Sequence, residues 1–359
     1  MSTSAPAQTS TPSGPQPAEV LMQVATGHIV ASALYGALSI GIPDLLKSGS
    51  KSVAELAVQT GTHEGALYRI MRALSAAGIF SEDPARTFSL TAVSEPLCKD
   101  AQNSMRQMAL WMTLPFHFEV YGELCHSLRT GETVSEKLYG VPCFDYFAQN
   151  KEVNDVFNDA MTEFSGNVIP AVLEAYDFGS LAGKTLVDIA GGHGKVLTEI
   201  LKKNPGVRGI LFDLERVVAR AVGRIESEGL SSRCKVAHGD FFQAVPSGDA
   251  YIMKHIIHDW DDAHALSILK NIHTSAAPNA RLFLIEAVMA PGNEPHFAKI
   301  VDLEMLLQTR RYGRSRLASR FQRAGGLMAS RFVRAREWTR DFLRNVFPGN
   351  ALRRVRTAR

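Results

Sequence analysis

Leu186-Val-Asp-Ile-Ala-Gly-Gly-His-Gly, which ends at residue 194, is the stretch that decides the fold of this 359-residue chain. Leu186–Ala190 is a short apolar run that predicts a buried strand, and the residues after the glycines predict a helix to Lys203. The glycines permit unusual backbone dihedral angles and let a ligand approach the main chain closely. Strand, glycine turn and helix in this order are typical of a parallel sheet covered by helices.

The same alternation of strands and helices continues to residue 287. The sequence predicts further strands over 209–213, 235–238, 249–254 and 281–287, and helices over 217–228 and 263–277. This spacing indicates an α/β fold with a doubly wound parallel sheet that is covered on both faces. Ligands of such sheets bind beyond the carboxyl ends of the strands, so we expect a binding site at that edge.

Residues 19–110 predict a mainly helical domain with a winged helix-turn-helix pattern. A short helix begins at Ser52, a second helix spans 64–77, and a hairpin follows over 80–90. This pattern binds DNA in some proteins and serves packing or dimerisation in others. Residues 19–110 hold seven basic and eight acidic side chains, whereas phosphate contacts need a basic face. The charge balance therefore favours packing or dimerisation.

The other regions are assigned mainly from composition. Residues 1–18 lack the basic and apolar parts of a signal peptide and predict a disordered lead-in. Residues 111–180 predict an aromatic-rich helical linker and substrate-pocket region, 181–308 a ligand-binding catalytic domain, and 309–359 an atypical tail. The apolar run over 31–46 is interrupted by glycines, a proline and an aspartate, so it predicts a buried helix and turn rather than a membrane span.

Cysteine usage and charge limit the class of protein further. The four cysteines are far apart and show no paired spacing, which argues against a disulfide framework and a zinc site and fits a reducing compartment. The first 309 residues carry a net charge of −10, and an acidic body does not attract nucleic acid. We therefore expect a cytoplasmic protein that binds no membrane, no nucleic acid and no metal ion.

The glycine turn does not match the usual phosphate-binding turns. A dinucleotide-binding turn would place a third glycine where Leu197 stands. A phosphate loop would follow Lys195 with Ser or Thr, whereas this chain has Val196. The turn is therefore expected to hold something other than a pyrophosphate.

Polar residues close neighbouring strands at the same edge of the predicted sheet. Asp213 ends the second strand, where a carboxylate can accept hydrogen bonds from both hydroxyls of a ribose. Asp240 and Phe241 follow the third strand and offer an acceptor for an adenine amine and an aromatic face beside the ring. Lys254 ends the fourth strand. With Asp188 on the first strand, these residues predict a nucleoside-binding site.

Four segments of the chain resemble the caffeate/acetylserotonin-type O-methyltransferases, a plant-like class whose bacterial members methylate natural products. They are Leu186-Val-Asp-Ile-Ala-Gly-Gly-His-Gly, Leu211-Phe-Asp-Leu, Gly239-Asp-Phe-Phe and Lys254-His-Ile-Ile-His-Asp-Trp-Asp-Asp. The resemblance covers residues 20–308 and implies a winged-helix-type dimerisation domain followed by a Rossmann-like methyltransferase domain. It also implies S-adenosyl-L-methionine as cofactor, a homodimer, and a small aromatic substrate that bears a hydroxyl.

Matching positions carry the family's cofactor contacts onto this chain. The residues implied are Ser165, Asp188, Gly191, Gly192, Gly194, Asp213, Asp240, Phe241 and Lys254. Ala190 stands where the family usually has glycine, a departure that we expect to cost little.

Methyl transfer to a phenol needs a group that removes the phenol proton while the oxygen is aligned with the methyl group. Histidine suits this task because its pKa lies near neutrality. The resemblance implies His258 as general base, although His255 lies three residues earlier, and Glu286 as the carboxylate that orients it. The resemblance further implies a substrate pocket formed by Met161, Asp259 and Met305. The two methionines could equally be ordinary core residues.

The chain departs from the family after Thr309. The family would continue with a Gly-Gly turn, a second carboxylate beside the base and two closing antiparallel strands. Residues 310–359 instead contain fifteen arginines, no lysine and two acids, with Arg314 near the expected carboxylate and no clear strand pair. A frame change in the coding sequence explains this composition best, and a basic tail that binds an anionic partner is the alternative. We expect impaired activity and an uncovered sheet edge.

The leading hypothesis is a homodimeric, S-adenosylmethionine-dependent O-methyltransferase that acts on an aromatic or polyketide-like hydroxyl. A family member that binds the cofactor but catalyses decarboxylation or hydroxylation is the first alternative. A ligand-sensing, winged-helix DNA-binding regulator is the second. These motifs do not specify the acceptor or the methylated position.

Overall fold

The computed structural model describes residues 16–286 and 292–309 and, for the backbone alone, 329–334. The chain divides into two units, one that ends at Leu114 and one that begins at Pro115. The helical region from Pro115 to Ala175 therefore belongs to the same unit as the parallel sheet. Predictions for residues 1–15 lie outside the described residues.

The first unit combines five helices with a small antiparallel sheet among its described residues. The helices are α1 (Pro17–Ser39), α2 (Ile42–Leu46), α3 (Val53–Thr60), α4 (Glu64–Ala76) and α5 (Arg106–Met112). The strands are β1 (Lys51–Ser52), β2 (Phe80–Glu82) and β3 (Thr87–Leu90), in the order β1-β3-β2. The two helices and the hairpin predicted from residue 52 to residue 90 are present.

Local signals explain where the paired helices begin and which face they bury. The Ser52 side chain accepts a hydrogen bond from the Glu55 amide, and the Glu55 carboxylate accepts one from the Ser52 amide, which forms a capping box at the start of α3. On α4 the buried residues recur at helical spacing, at Leu67, Met71 and Leu74. They pack in one core with Leu56, Phe80 and Phe88.

The buried helix and turn that the sequence predicts over residues 31–46 are present, with Ala37, Leu38, Ile42 and Leu46 buried. Helix α1 begins earlier, at Pro17. Several of its large apolar side chains are exposed within the single chain, namely Val20, Leu21, Met22, Val24 and Ile29. Among the described residues, α1 is long and apolar enough to cross a membrane by length and composition, with a mean hydropathy of 1.3. An exposed apolar helix of this kind also suits a protein interface.

The second unit is a six-stranded sheet with helices before and between its strands. Its helices are α6 (Pro115–Gly122), α7 (Leu124–Thr130), α8 (Val134–Tyr139), α9 (Cys143–Gln149), α10 (Lys151–Ala175), α11 (Lys195–Lys203), α12 (Glu215–Val218), α13 (Ala221–Ser227), α14 (Asp262–Ser275) and α15 (Phe297–Gln308). Its strands are β4 (Thr185–Ile189), β5 (Arg208–Asp213), β6 (Cys234–His238), β7 (Gly248–Lys254), β8 (Ala276–Glu286) and β9 (Ala329–Arg334).

The strand order is β6-β5-β4-β7-β8-β9, and all neighbours pair in parallel except β8 and β9. Alternate residues of β4 point to opposite faces, so Leu186 packs with α11 and Val187 packs with α14. Apolar clusters therefore cover both faces of the sheet. The predicted doubly wound α/β fold is confirmed.

Two predictions about this unit are wrong. The helix predicted over 217–228 is two helices, α12 and α13, with a break around Ala219 and Arg220. The sheet edge expected to be uncovered after Thr309 is paired, because β9 runs antiparallel to β8 from Arg281 to Glu286. The unpaired main-chain groups of an edge strand can pair with another strand whatever the side chains of that strand are. For this reason β9 could form without the alternation of apolar and polar residues by which strands are predicted from sequence. The expected Gly-Gly turn position and Arg314 lie outside the described residues.

Ala190 adopts a backbone conformation that usually requires glycine. Its φ is +53°, in the left-handed region, and Gly192 and Gly194 in the same turn have φ of +60° and +75°. An L-residue in this region is destabilised by about 1–2 kcal/mol because its Cβ approaches the following carbonyl. Ala190 therefore adopts a backbone conformation typical of glycine although it carries a Cβ atom.

We predict that Ala190→Gly raises the free energy of unfolding of this unit by up to about 1 kcal/mol. Relief of the left-handed strain outweighs the greater unfolded-state entropy of glycine, which amounts to about 0.4–1 kcal/mol. Chemical denaturation compares this variant with Ala171→Gly, an exposed position on α10 where the same change should destabilise by about 0.5–1 kcal/mol. Equal destabilisation by both changes would contradict the assignment of strain to Ala190.

Candidate functional site

A cavity of about 420 Å³ lies beyond the carboxyl ends of β4, β5, β6 and β7. Eight of the nine residues predicted to contact the cofactor line it: Ser165, Asp188, Gly191, Gly192, Asp213, Asp240, Phe241 and Lys254. Gly194 does not line it but is the N-cap of α11 and helps to form the turn. Parallel strands place their carboxyl ends at one edge, which is why residues distant in sequence meet here.

Asp213 is held in one orientation by the main chain around it. Its Oδ2 accepts a hydrogen bond from the Gly192 amide at 2.9 Å, and its Oδ1 accepts one from the Leu214 amide at 2.7 Å. Burial raises the pKa of Asp213, and these two hydrogen bonds oppose that rise because they favour the ionised carboxylate. A fixed carboxylate beside a glycine turn suits the two hydroxyls of a ribose.

Asp188 and Lys254 are buried groups whose charges partly compensate each other. Burial raises the pKa of Asp188 to about 7, against the opposing effect of the Lys254 charge. Burial lowers the pKa of Lys254 to about 8, and the charge of Asp188 opposes this shift. The Oδ2 atom of Asp188 has no hydrogen-bond donor among the residues that the structure describes. The bottom of the cavity is therefore polar and incompletely satisfied.

Aromatic rings form the other wall of the cavity. The rings of Phe242 and Trp260 meet edge to face with centroids 4.6 Å apart, and Phe241 meets Trp260 at 5.8 Å. Phe144 stacks against Trp260 at 6.3 Å. Trp260 and Phe144 were not among the predicted site residues, although Trp260 belongs to the His-Asp-Trp segment quoted above. Aromatic faces of this kind bind planar ring systems.

His258 and Glu286 form a direct hydrogen bond next to this cavity. Nδ1 of His258 lies 2.6 Å from Oε2 of Glu286. The other carboxylate oxygen of Glu286 accepts hydrogen bonds from the amides of Ile256 at 3.1 Å and Ile257 at 2.9 Å. Nε2 of His258 lies 3.4 Å from Oδ1 of Asp259, which lines the cavity. The carboxylate therefore fixes the ring orientation of His258, with Nε2 beside Asp259. His258 and Glu286 themselves are not among the described residues that line the cavity.

Neighbouring carboxylates make His258 an unusually strong base. Burial lowers the pKa of His258, but the charges of Glu286 and Asp259 and the hydrogen bond to Glu286 raise it to about 9. Burial also raises the pKa of Asp259 to about 6. His258 is therefore protonated in this structure at neutral pH.

His255 differs from His258 in both contacts and charge. It lines the cavity, its φ is +56°, and its Nδ1 lies 3.9 Å from Oε2 of Glu286, too far for a hydrogen bond. Burial and the charge of Lys254 hold its pKa well below the usual range. His255, His258 and Glu286 have donor atoms within 4.8 Å of one another, a spacing that a metal ion could also use. The 2.6 Å contact instead joins His258 and Glu286 directly.

The predicted substrate residues are only partly brought together. Met161 on α10 and Asp259 line the cavity. Met305 lies on α15 and is not among the described residues that line it. The family resemblance alone placed Met305 in the substrate pocket, and a resemblance does not show which side of α15 faces the site.

Comparison with known proteins identifies two family models in this chain. An O-methyltransferase domain matches residues 121–326, and an O-methyltransferase dimerisation domain matches residues 22–100. The phenazine O-methyltransferase of Lysobacter antibioticus is 37% identical over 289 residues, which are 80% of this chain and 84% of that protein.

Solved structures of related proteins share the fold of this chain. The structure of the mitomycin 7-O-methyltransferase aligns with a TM-score of 0.80 and 30% identity over 88% of this chain and 97% of that chain. A methyltransferase of calicheamicin biosynthesis in its S-adenosylhomocysteine-bound form aligns with a TM-score of 0.72 and 29% identity, over 88% of this chain and 97% of that chain. The second structure carries the demethylated cofactor product.

We predict that Glu286→Gln lowers the pKa of His258 from about 9 to near or below the ordinary value of about 6.5. The glutamine carbonyl can still accept the amides of Ile256 and Ile257, but its amino group then faces Nδ1 and disfavours the imidazolium. The imidazole signals of His258, followed by NMR over pH 5–10, measure this shift. A His258 that titrates near 6.5 in the unaltered protein would contradict the charge assignment.

Proposed function

The chain belongs to the O-methyltransferase family and is an S-adenosylmethionine-dependent O-methyltransferase, and on that premise we propose that His258 is its general base. The acceptor that we propose is a hydroxyl of an aromatic or polyketide-like small molecule. The observation that carries the proposal is the 2.6 Å contact between His258 and Glu286 beside the cavity.

The reaction needs a proton acceptor beside the reacting oxygen. S-adenosylmethionine, when bound, would supply a methyl group whose carbon the acceptor oxygen attacks in line, with the neutral thioether leaving with the electron pair of the carbon–sulfur bond. The hydroxyl proton goes to Nε2 of His258, because Nδ1 is already hydrogen-bonded to Glu286. Glu286 stabilises the imidazolium that forms, and proton removal of this kind typically accelerates reactions by about 10²–10⁴-fold.

The raised pKa of His258 sets the pH at which it can act. Only the neutral imidazole has a lone pair on Nε2, and this form grows as pH rises toward about 9. The rate constant kcat/KM should therefore increase with pH through the alkaline range, until the acceptor ionises by itself.

The cavity lining supports an aromatic acceptor. Phe144, Trp260 and Met161 offer apolar surface, whereas Asp259 offers a polar contact for a hydroxyl. The relatives named above are a phenazine O-methyltransferase and a mitomycin 7-O-methyltransferase. A planar acceptor would lie against the aromatic wall with its hydroxyl toward His258.

The first unit supports a homodimer. The dimerisation domain matched over residues 22–100 includes most of α1, whose exposed apolar side chains are suited to burial against a second chain. Pairing through α1 also gives its apolar composition a role that requires no membrane, so we propose a cytoplasmic dimer.

We predict that His258→Ala retains cofactor binding and slows turnover by about 10²–10⁴-fold. The removed imidazole takes part in proton transfer but is not among the residues that line the cofactor cavity. Calorimetry with S-adenosylhomocysteine and a mass-spectrometric assay of phenolic acceptors measure the two effects. His255→Ala is the matched variant. Near-native turnover of His258→Ala with slow turnover of His255→Ala would reassign the base.

We also propose that Arg314 weakens the base, because it stands near the place of the family's second carboxylate. The family match extends to residue 326, beyond this arginine. A cation near His258 lowers its pKa, whereas a carboxylate raises it. Arg314→Glu should therefore move the rise of kcat/KM with pH to higher pH, because it raises the pKa of His258, and Arg316→Glu in the same segment should not. Turnover of an aromatic acceptor by the unaltered chain at about 1 s⁻¹ or faster would contradict the impairment.

A further inference from the structure

His193 stands in the glycine turn but takes no part in the chemistry derived above. Gly192 and Gly194, both with positive φ, fix the backbone on either side of it. Its imidazole lines the cavity, and the residue is only 9% exposed. Its Nδ1 lies 3.0 Å from Oγ1 of Thr162 on α10. The turn therefore presents a buried, oriented imidazole to the cofactor cavity.

The contacts of Thr162 determine which nitrogen of His193 carries the hydrogen. Oγ1 of Thr162 donates a hydrogen bond to the carbonyl oxygen of Asn158 at 2.8 Å. The hydroxyl hydrogen is thus already used, so Nδ1 of His193 must be the donor in the contact with Oγ1. Burial lowers the pKa of His193, and the charge of Arg220 acts in the same direction. These effects favour the neutral imidazole, in which Nε2 is a hydrogen-bond acceptor.

This acceptor has no donor within the part of the chain that the structure describes. Nε2 of His193 is shielded from solvent and makes no hydrogen bond there. Oδ2 of Asp188 and Nε2 of His255 are in the same condition, and all three residues line the cavity. Of these three, Asp188 and His193 flank Gly191 and Gly192 in the sequence. A buried acceptor without a donor is costly. Two such atoms beside one glycine turn indicate a ligand group that donates to both.

We propose that Nε2 of His193, together with Oδ2 of Asp188, binds the α-ammonium group of the cofactor's methionyl part. The cofactor has donors on its adenine amine, its ribose hydroxyls and its α-ammonium group. Asp240 and Asp213 are suited to the first two, which leaves the ammonium for this pair. An ammonium has three N–H bonds and can serve both acceptors. Because Nε2 is shielded from solvent in this structure, the proposed contact requires the ring of His193 to rotate toward the cavity when the cofactor binds.

Two substitutions of His193 distinguish the role of Nε2 from that of Nδ1. His193→Asn keeps a side-chain amide near the place of Nδ1, next to Thr162, but has no acceptor at the place of Nε2. His193→Gln reaches further and places its carbonyl oxygen near that position. His273→Asn, on the exposed side of α14, is the matched control. Thermal unfolding without ligand shows that each variant is folded.

Two ligands test which part of the cofactor is bound. S-adenosylhomocysteine carries the α-ammonium group, whereas 5′-methylthioadenosine has the same nucleoside without it. By calorimetry we expect His193→Asn to bind S-adenosylhomocysteine about 5- to 100-fold more weakly and methylthioadenosine about as tightly as the unaltered protein. His193→Gln should recover most of the affinity for S-adenosylhomocysteine, and His273→Asn should bind both ligands normally.

The inference rests on the cofactor assignment, and the two can fail separately. An unaltered protein that binds neither ligand would overturn the cofactor assignment itself. An unaltered protein that binds both, with His193→Asn unchanged toward S-adenosylhomocysteine, would leave that assignment intact and overturn the role of His193. Equal weakening of both ligands would place the contact on the ribose and would also overturn the proposal.

Discussion

Glu286 makes the contacts on which the reactive end of the sheet depends. One of its oxygens accepts the amides of Ile256 and Ile257, and the other binds Nδ1 of His258. A single carboxylate therefore fixes the turn after β7 and the imidazole that this turn carries. It can do so because β7 and β8 are parallel neighbours whose carboxyl ends meet. Charge-assisted hydrogen bonds of this kind are about twice as strong as neutral ones.

The cavity suits a positively charged ligand because the charges of two buried groups, Asp188 and Lys254, can change when that ligand binds. The pKa of Asp188 is raised to about 7 and that of Lys254 is lowered to about 8, because both are buried. A sulfonium or ammonium that enters the cavity favours the ionised form of Asp188 and disfavours protonated Lys254. Ligand binding and proton movement are therefore coupled within the site, with the main chain around Gly192 holding the geometry constant.

The sequence predicted the parallel sheet and most of the cofactor edge because strand ends in a doubly wound fold must converge. That rule placed Asp188, Asp213 and Lys254 together without any knowledge of side-chain direction. It could not show that Met305, which the family resemblance placed in the substrate pocket, is absent from the described cavity lining. Nor does helical spacing distinguish one helix over 217–228 from the separate helices α12 and α13. His193 was overlooked because its role depends on the hydrogen that Thr162 donates to a carbonyl, which only three-dimensional contacts show.

The pairing of β8 with β9 has a consequence for synthesis on the ribosome. β8 ends at Glu286, whereas its antiparallel partner ends at Arg334, so β8 emerges long before β9 can reach it. During that interval the edge of β8 from Arg281 to Glu286, which includes the apolar run Leu282–Ile285, is unpaired, which favours association with other nascent chains. Production of folded protein should therefore depend on slow translation, low temperature or chaperones more than its size alone would suggest.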